Sequence, residues 1–280
     1  MSDATVTVAA LTLYPVKGCR GIDLAEATLA PTGLAVDGIG DREWVVVDAQ
    51  GEFLSQREHP KMALIEPRFR HDALRLRAPG MLQLEVPFAS EGDVIPVRVW
   101  DDRIDAVTQG EIADAWVSSF LGTRARLVRF DPEFTRDADV RYAGPHPAPF
   151  KFADAFALLV TNESSLADVN GRLATSAHGP VEMARFRPNI VLRGLAAWDE
   201  DHVKALSAGG VTITPVKPCA RCSVPGVDPA TGEGSAVVPD LLASFRSTKN
   251  GVIFGVNAIV TAGAGATIRS GDAFEVALDF

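Results

Sequence analysis

Val94–Val107, VIPVRVWDDRIDAV, sets the fold class. Two short apolar-rich runs flank Asp101-Asp102, a turn signal, so the segment is predicted as two paired strands. Pro96 lacks the amide N–H a central strand needs, which assigns its strand to an edge or a bulge. The same punctuation recurs along the chain. Thr5–Val8 alternates, and Trp44–Val47 is a buried-type run that ends in the hairpin signal Asp48-Ala-Gln-Gly51. Met62–Ile65 leads, past Pro67, into the cleanly alternating Leu74–Arg77, and further strand patterns lie at 190–193, 211–214, 252–260 and 274–278. Short strands at this spacing predict a mainly β fold, a barrel or sandwich with few short helices, and not a doubly wound sheet.

Helical spacing is confined to three places. EIADAWVSSFL, 111–121, gathers Ile112, Ala113, Trp116, Val117, Phe120 and Leu121 on one face and stops at Gly122. A second helix is predicted to start at the N-cap residues Thr161-Asn162, with Glu163 in its first turn and Leu166, Val169 and Leu173 as its stripe. A third spans 240–245. Asp131–Pro149, rich in Pro, Asp, Arg and Gly, reads as an irregular connection between two halves.

Composition narrows the function classes. The chain has 280 residues, 47% hydrophobic and 22% charged, which is ordinary for a globular protein with a real core. A net charge of −9 argues against a nucleic-acid-binding surface. No apolar run reaches membrane-spanning length and no basic leader opens the chain, so a cytoplasmic protein without a membrane partner is expected. Three cysteines are too few, and odd in number, for a disulfide framework. Glycine-rich phosphate loops, GxSxG and HExxH are all absent.

Two of the cysteines, Cys219 and Cys222, stand in PVKPCARCSVPGVDPATG, 215–232. A thioredoxin-like pair opens a helix, whereas here prolines surround the motif and Ser-Val-Pro-Gly follows it. A protein-only zinc site needs further ligands, and His59, His71, His146, His178 and His202 form no close pair. The local chemistry leaves either one reactive or metal-bound thiolate or inert burial, with Arg221 favouring the thiolate. Cations also stand at predicted strand ends: Lys17 and Arg20 in YPVKGCRG, Arg42 in GDREW, and Arg187 with Asn189 in RFRPN. A lone arginine is usually a solvated surface cation. Several of them, with the helix start Thr161-Asn162-Glu163-Ser164, suit an anion pocket for a phosphate.

YPVKG, GDREW, WVSSFLG, TNESSLADVN, RFRPNIV, PCARCSVPGVDPATG and FGVN, in this order, resemble proteins that join a MOSC domain to an N-terminal β-barrel partner. The mitochondrial amidoxime-reducing components and their bacterial relatives are of this kind. The resemblance covers nearly the whole chain. It implies an N-terminal domain at 1–130, a connection at 131–149 and a MOSC domain at 150–280, with the molybdenum cofactor (Mo-molybdopterin) in the cleft between them. It further implies that Cys222 is the catalytic residue and the protein thiolate on molybdenum. Lys17, Gly18, Arg42 and Arg187 match positions that hold the pterin and its phosphate, with Thr161, Asn162, Glu163, Ser164, Asn189, Arg221 and Asn257 nearby. No ligand role follows for Cys19 or Cys219, and burial is expected for both. The implied activity is reduction of N-hydroxylated compounds such as amidoximes and hydroxylamines. Electrons would come from a separate reductase or ferredoxin-like partner, since no flavin, haem or iron–sulfur motif is visible. The alternatives are a cofactor or sulfur carrier using Cys222 without turnover, and a plain binding module. Two departures stand out: Gly18 occupies a position where eukaryotic members have serine, and Pro225-Gly226 replace threonines.

Overall fold

In the computed structural model, which describes residues 4–174 and 179–279 and so leaves His178 outside, the first alternating run becomes the strand Ala4–Leu13. It does not pair with its sequence neighbours alone. It lies between Ile190–Arg193 (Thr7 opposite Arg193) and Ala273–Leu278 (Val6 opposite Phe274). From there the ladder runs through Val203–Ala208, Val211–Ala220 and Gly251–Ala262 to Leu158–Asn162, which pairs back onto Ile190–Arg193. Seven strands thus close a barrel, which removes sheet edges. The pairing of Leu158–Asn162 with Ile190–Arg193 is parallel, and the helix Glu163–Leu173 supplies the crossover that a parallel pair requires. The first strand therefore crosses from the sequence-contiguous N-terminal half into the barrel of the C-terminal half.

The barrel is filled by alternate residues of these strands, among them Val6, Val8, Leu11, Ile190, Leu192, Ile213, Val256 and Val276, all at most 3% exposed. Outside it, the helices Glu163–Leu173 and Val237–Arg246 pack over the stacked rings of Phe186 and Phe254, whose centroids lie 3.8 Å apart. Neither ring is exposed to solvent. Phe254→Ala should therefore cost about 3–5 kcal/mol, read from the denaturant midpoint at unchanged slope. A loss under about 1 kcal/mol would mean that this layer collapses onto the gap.

In the N-terminal half, Glu26–Ala30, Gly33–Val36 and Ile39–Gly40 form a sheet with Thr267–Arg269, and residues 44–130 build two further antiparallel sheets. One holds Val94–Val99, Asp102–Thr108, Ala125–Phe130 and Trp44–Asp48, and the other Glu66–Arg70, Ala73–Arg77 and Leu84–Pro87. Pro96 and Pro67 both lie on edge strands, where their missing N–H costs no ladder bond. The helix Glu111–Leu121 buries Ala113, Trp116 and Val117 against these sheets, while Asp114 accepts from the Leu127 amide at 3.0 Å. The 131–149 segment is less irregular than its composition suggests. It carries the short helix Val140–Ala143, and Arg136, 7% exposed, pairs with Asp102 at 2.5 Å and donates to the carbonyls of Lys151 and Ala153.

Candidate functional site

A cleft of about 290 Å³ opens where the two halves meet. One wall comes from Lys17, Gly18, Arg42, Phe53–Arg57 and Trp100, and the other from Arg187, Asn189, Lys217–Cys222 and Asn257.

Backbone hydrogen bonds zip the two cation-bearing motifs of the N-terminal half together. The Lys17 amide donates to the Trp44 carbonyl at 2.8 Å, Arg42 to Tyr14 at 2.7 Å, and Trp44 to Pro15 at 2.9 Å. Asp41, 2% exposed, then joins the halves. Its Oδ1 accepts from the Tyr14 amide at 2.8 Å and from Asn189 Nδ2 at 2.9 Å, and its Oδ2 pairs with Arg42. Asn189 Oδ1 accepts from Arg42 Nη1 and from the Leu159 amide, both at 3.1 Å. The Arg42 and Arg187 guanidiniums lie 4.5 and 4.4 Å from the Tyr14 ring centre. Burial pushes the Tyr14 phenol up to about 12, so it stays neutral and presents only its ring to the two cations.

Lys17 is 8% exposed, and its ammonium donates to the Phe152 carbonyl at 2.8 Å and to Asp154 Oδ1 at 2.6 Å. Burial lowers its pKa from the ordinary lysine value, against the pull of Asp154. Partial desolvation by the cleft walls would raise the Asp154 carboxyl, but its side chain is 72% exposed, and Lys17 and the Trp100 indole N–H hold it below the usual carboxylate range. Arg187 differs from both. It has a left-handed backbone (φ 58°), donates through Nη1 to the Cys19 carbonyl at 2.6 Å, and buries Nη2 with no acceptor. Arg221 likewise buries Nε without an acceptor, while Nη1 meets Cys219 Sγ at 3.1 Å and Nη2 the Phe186 carbonyl at 2.9 Å. Buried donors without acceptors are costly, so two in the walls of one cleft leave positive charge there without a partner.

The strand Val211–Ala220 runs further than predicted, through Pro215 and Pro218, because its register shifts at both and so spares the missing N–H groups. It delivers Cys219 half-buried to the cleft wall and leaves Cys222 exposed just beyond the strand. Cys19 is fully buried, as expected, with its thiol pushed up to about 12 by burial. Cys219 is not, because the bulge at Pro218/Ala220 turns it toward Arg221. The two departures also have local causes. Gly18 has φ +81°, and a Cβ there would sit 2.9 Å from Met62 Cε, while one on Gly226 would come within 2.1 Å of the Ser235 carbonyl oxygen. Glycine is the residue both backbones admit.

Lys17, Gly18, Arg42, Arg187, Asn189, Arg221, Cys222 and Asn257 thus meet at one cleft. Thr161, Asn162, Glu163 and Ser164 do not line it. Thr161 is buried against Met183, the N-cap Asn162 donates to the Ala196 carbonyl at 2.7 Å, and Glu163 pairs with Arg193 on the surface. The helix start is instead turned inward to buried Glu200, whose Oε2 accepts from Ser165 Oγ at 2.6 Å and whose carboxyl burial raises to about 7. Asp41, Gln56, Trp100, Asp154 and Lys217 were missed as site residues. Asp41 stood inside the quoted GDREW motif and Lys217 inside PVKPCARCSVPGVDPATG, whereas Gln56, Trp100 and Asp154 carried no signal of a site.

Any metal here would have to arrive with ligands of its own, since no group of three or more His, Cys, Asp or Glu able to hold one occurs among the described residues. An exposed soft sulfur beside acceptor-seeking guanidiniums fits a sulfur-ligated metal on an anionic organic cofactor. Cys219→Ser should keep most cofactor and activity, because its sulfur is held by Arg221, which a serine oxygen can also engage. A loss as complete as for Cys222→Ser, measured as metal per chain and turnover, would establish a two-sulfur site instead.

Comparison with known proteins agrees in kind. The family described as MOSC N-terminal beta barrel domain matches residues 5–124, and the MOSC domain matches 147–275. The chain is 34% identical over 252 residues to mitochondrial amidoxime reducing component 2 of Bos taurus, covering 86% of this chain and 72% of that one. It is 33% identical over 252 residues to the Homo sapiens mitochondrial amidoxime-reducing component 1, with the same coverage of 86% and 72%. A molybdenum cofactor sulfurase of Danio rerio is 30% identical over 269 residues, which cover 90% of this chain but 32% of that protein. No helix among the described residues is long and apolar enough to cross a membrane.

Proposed function

The chain belongs to the MOSC family, with a MOSC N-terminal beta barrel domain ahead of its MOSC domain, and from that premise we propose that it is a molybdenum-cofactor enzyme reducing N-hydroxylated compounds. The observation that carries this is the exposed Cys222 sulfur on a cleft whose walls bury guanidinium N–H groups without acceptors. Cys222 would bind molybdenum, and Lys17, Arg42 and Arg187 the pterin phosphate, with Asp41 and Asn189 fixing the Arg42 fork. When bound, the cofactor supplies two-electron redox chemistry, and the protein supplies binding and orientation. An amidoxime takes up two electrons and two protons, its N–O bond breaks, and amidine and water leave. The electrons come from a separate donor protein.

The test is to make the protein in a host that synthesises the cofactor, measure molybdenum and pterin per chain, and assay benzamidoxime reduction with a reduced viologen as donor. Near-stoichiometric metal with turnover is expected. The exposure of Cys222 also suits a carrier, and protein that yields transferable sulfur or cofactor without turnover would replace the enzyme by that function. Metal-free protein from the same host would overturn both.

A further inference from the structure

Six cations line the cleft, namely Lys17, Arg42, Arg57, Arg187, Lys217 and Arg221, against one acid, Asp154. This is local, because the whole chain is at −9. Lys17 pairs with Asp154 and Arg42 with Asp41, whereas no carboxylate lies within 4.0 Å of the other four among the described residues. Arg187 and Arg221 hold the buried donors without acceptors; Arg187 faces the cofactor's phosphate in the reading above, and Arg221 is held by Cys219 Sγ and the Phe186 carbonyl. Arg57 and Lys217 are left over.

Both leftovers sit on aromatic supports. The Arg57 guanidinium lies 4.4 Å from the Trp100 ring centre, and the Lys217 ammonium 4.4 Å from that of Tyr142. Trp100 (41% exposed) and Tyr142 (39%) are the exposed large aromatic side chains among the described residues, and each backs a cation of the cleft. Trp100 is further fixed by Phe53, edge-on at 4.9 Å, and by its indole N–H on Asp154 at 2.9 Å, and it keeps a left-handed backbone (φ 58°) that a bulky residue rarely adopts. A stacked guanidinium keeps its in-plane N–H groups free for an oxyanion while the ring restricts its motion.

We propose that Arg57 and Lys217 recognise an acid group on the substrate, so that N-hydroxylated compounds bearing a carboxylate or phosphate are preferred over neutral ones. This rests on the proposed function. The positive field of a cleft also raises the capture rate of anions in a salt-dependent way.

The experiment compares 4-carboxybenzamidoxime with benzamidoxime on molybdenum-loaded protein, wild type and the Arg57→Ala/Lys217→Ala double variant. Binding is read by calorimetry at low and high salt, and turnover with a small viologen donor. The acid is expected to bind about tenfold tighter at low salt, with the preference falling in high salt and in the double variant. Equal binding of the two compounds, or a preference the double variant keeps, overturns the inference alone. A double variant that loses its molybdenum overturns it too, by returning both cations to the cofactor. No turnover of either compound by fully loaded protein overturns the proposed function on which it rests.

Discussion

Cys222→Ser is expected to fold like the parent and to lose molybdenum, or its turnover, by more than about 100-fold. The side chain is exposed and its sulfur takes part in no core contact, so the exchange should change stability by no more than about 0.5 kcal/mol. The chemical difference is large by comparison. A thiol ionises far more readily than an alcohol, and thiolate is the softer donor that sulfur-ligated metals select. No neighbouring side chain can take over, because Cys219 is held by Arg221 and Cys19 lies buried, with its thiol raised to about 12. Metal per chain and turnover, measured beside an unchanged thermal midpoint, decide the matter. Full metal and full turnover with serine would remove Cys222 from the ligand set.

The class of the fold was legible because alternation is a local property. Val94–Val107 reads as a hairpin from its own residues, and Val94–Val99 and Asp102–Thr108 pair accordingly. Barrel closure was not legible. Ala4–Leu13 pairs with strands that begin at Ile190 and Ala273, and nothing in its own sequence records partners so distant. The cleft divides in the same way. Motif residues such as Arg42 and Arg187 could be named one by one, but their convergence on Tyr14 is a product of tertiary packing. The helix start at 161–164 misled for a physical reason: Asn162 and Ser165 are spent on the internal Ala196 carbonyl and Glu200 carboxyl, so this end of the helix faces the core and not the cleft. Arg129 and Arg246 pair with Glu43 (3% exposed) and with Asp201, so neither is a neutral control for cofactor retention.

Arg187→Ala is expected to weaken cofactor retention by about 2–4 kcal/mol, and Arg42→Ala by a similar amount, since each removes a charge-assisted hydrogen-bond donor from a buried anion. The two differ in what they leave behind. Removing Arg42 strands the buried Asp41 carboxylate, so part of its effect belongs to the fold. Removing Arg187 strands no acid, because Arg187 has no carboxylate partner among the described residues and already buries one N–H without an acceptor. Burial lowers its pKa from the ordinary arginine value, as expected for a cation that lacks a local counter-charge. Cofactor-free Arg187→Ala should therefore lose only the Cys19 carbonyl bond and the Tyr14 contact, a small drop in midpoint, while the loaded variant releases molybdenum faster. A merely structural arginine would show the reverse, a large drop in midpoint without the cofactor and unchanged retention with it. Arg98→Ala and Arg269→Ala, whose side chains are 61% and 58% exposed in surface pairs, provide the baseline and should change neither quantity. Molybdenum per chain after identical dialysis of all four variants makes the comparison. Equal retention across the set would mean that the phosphate is held elsewhere and that Arg187 stays unpartnered for another reason.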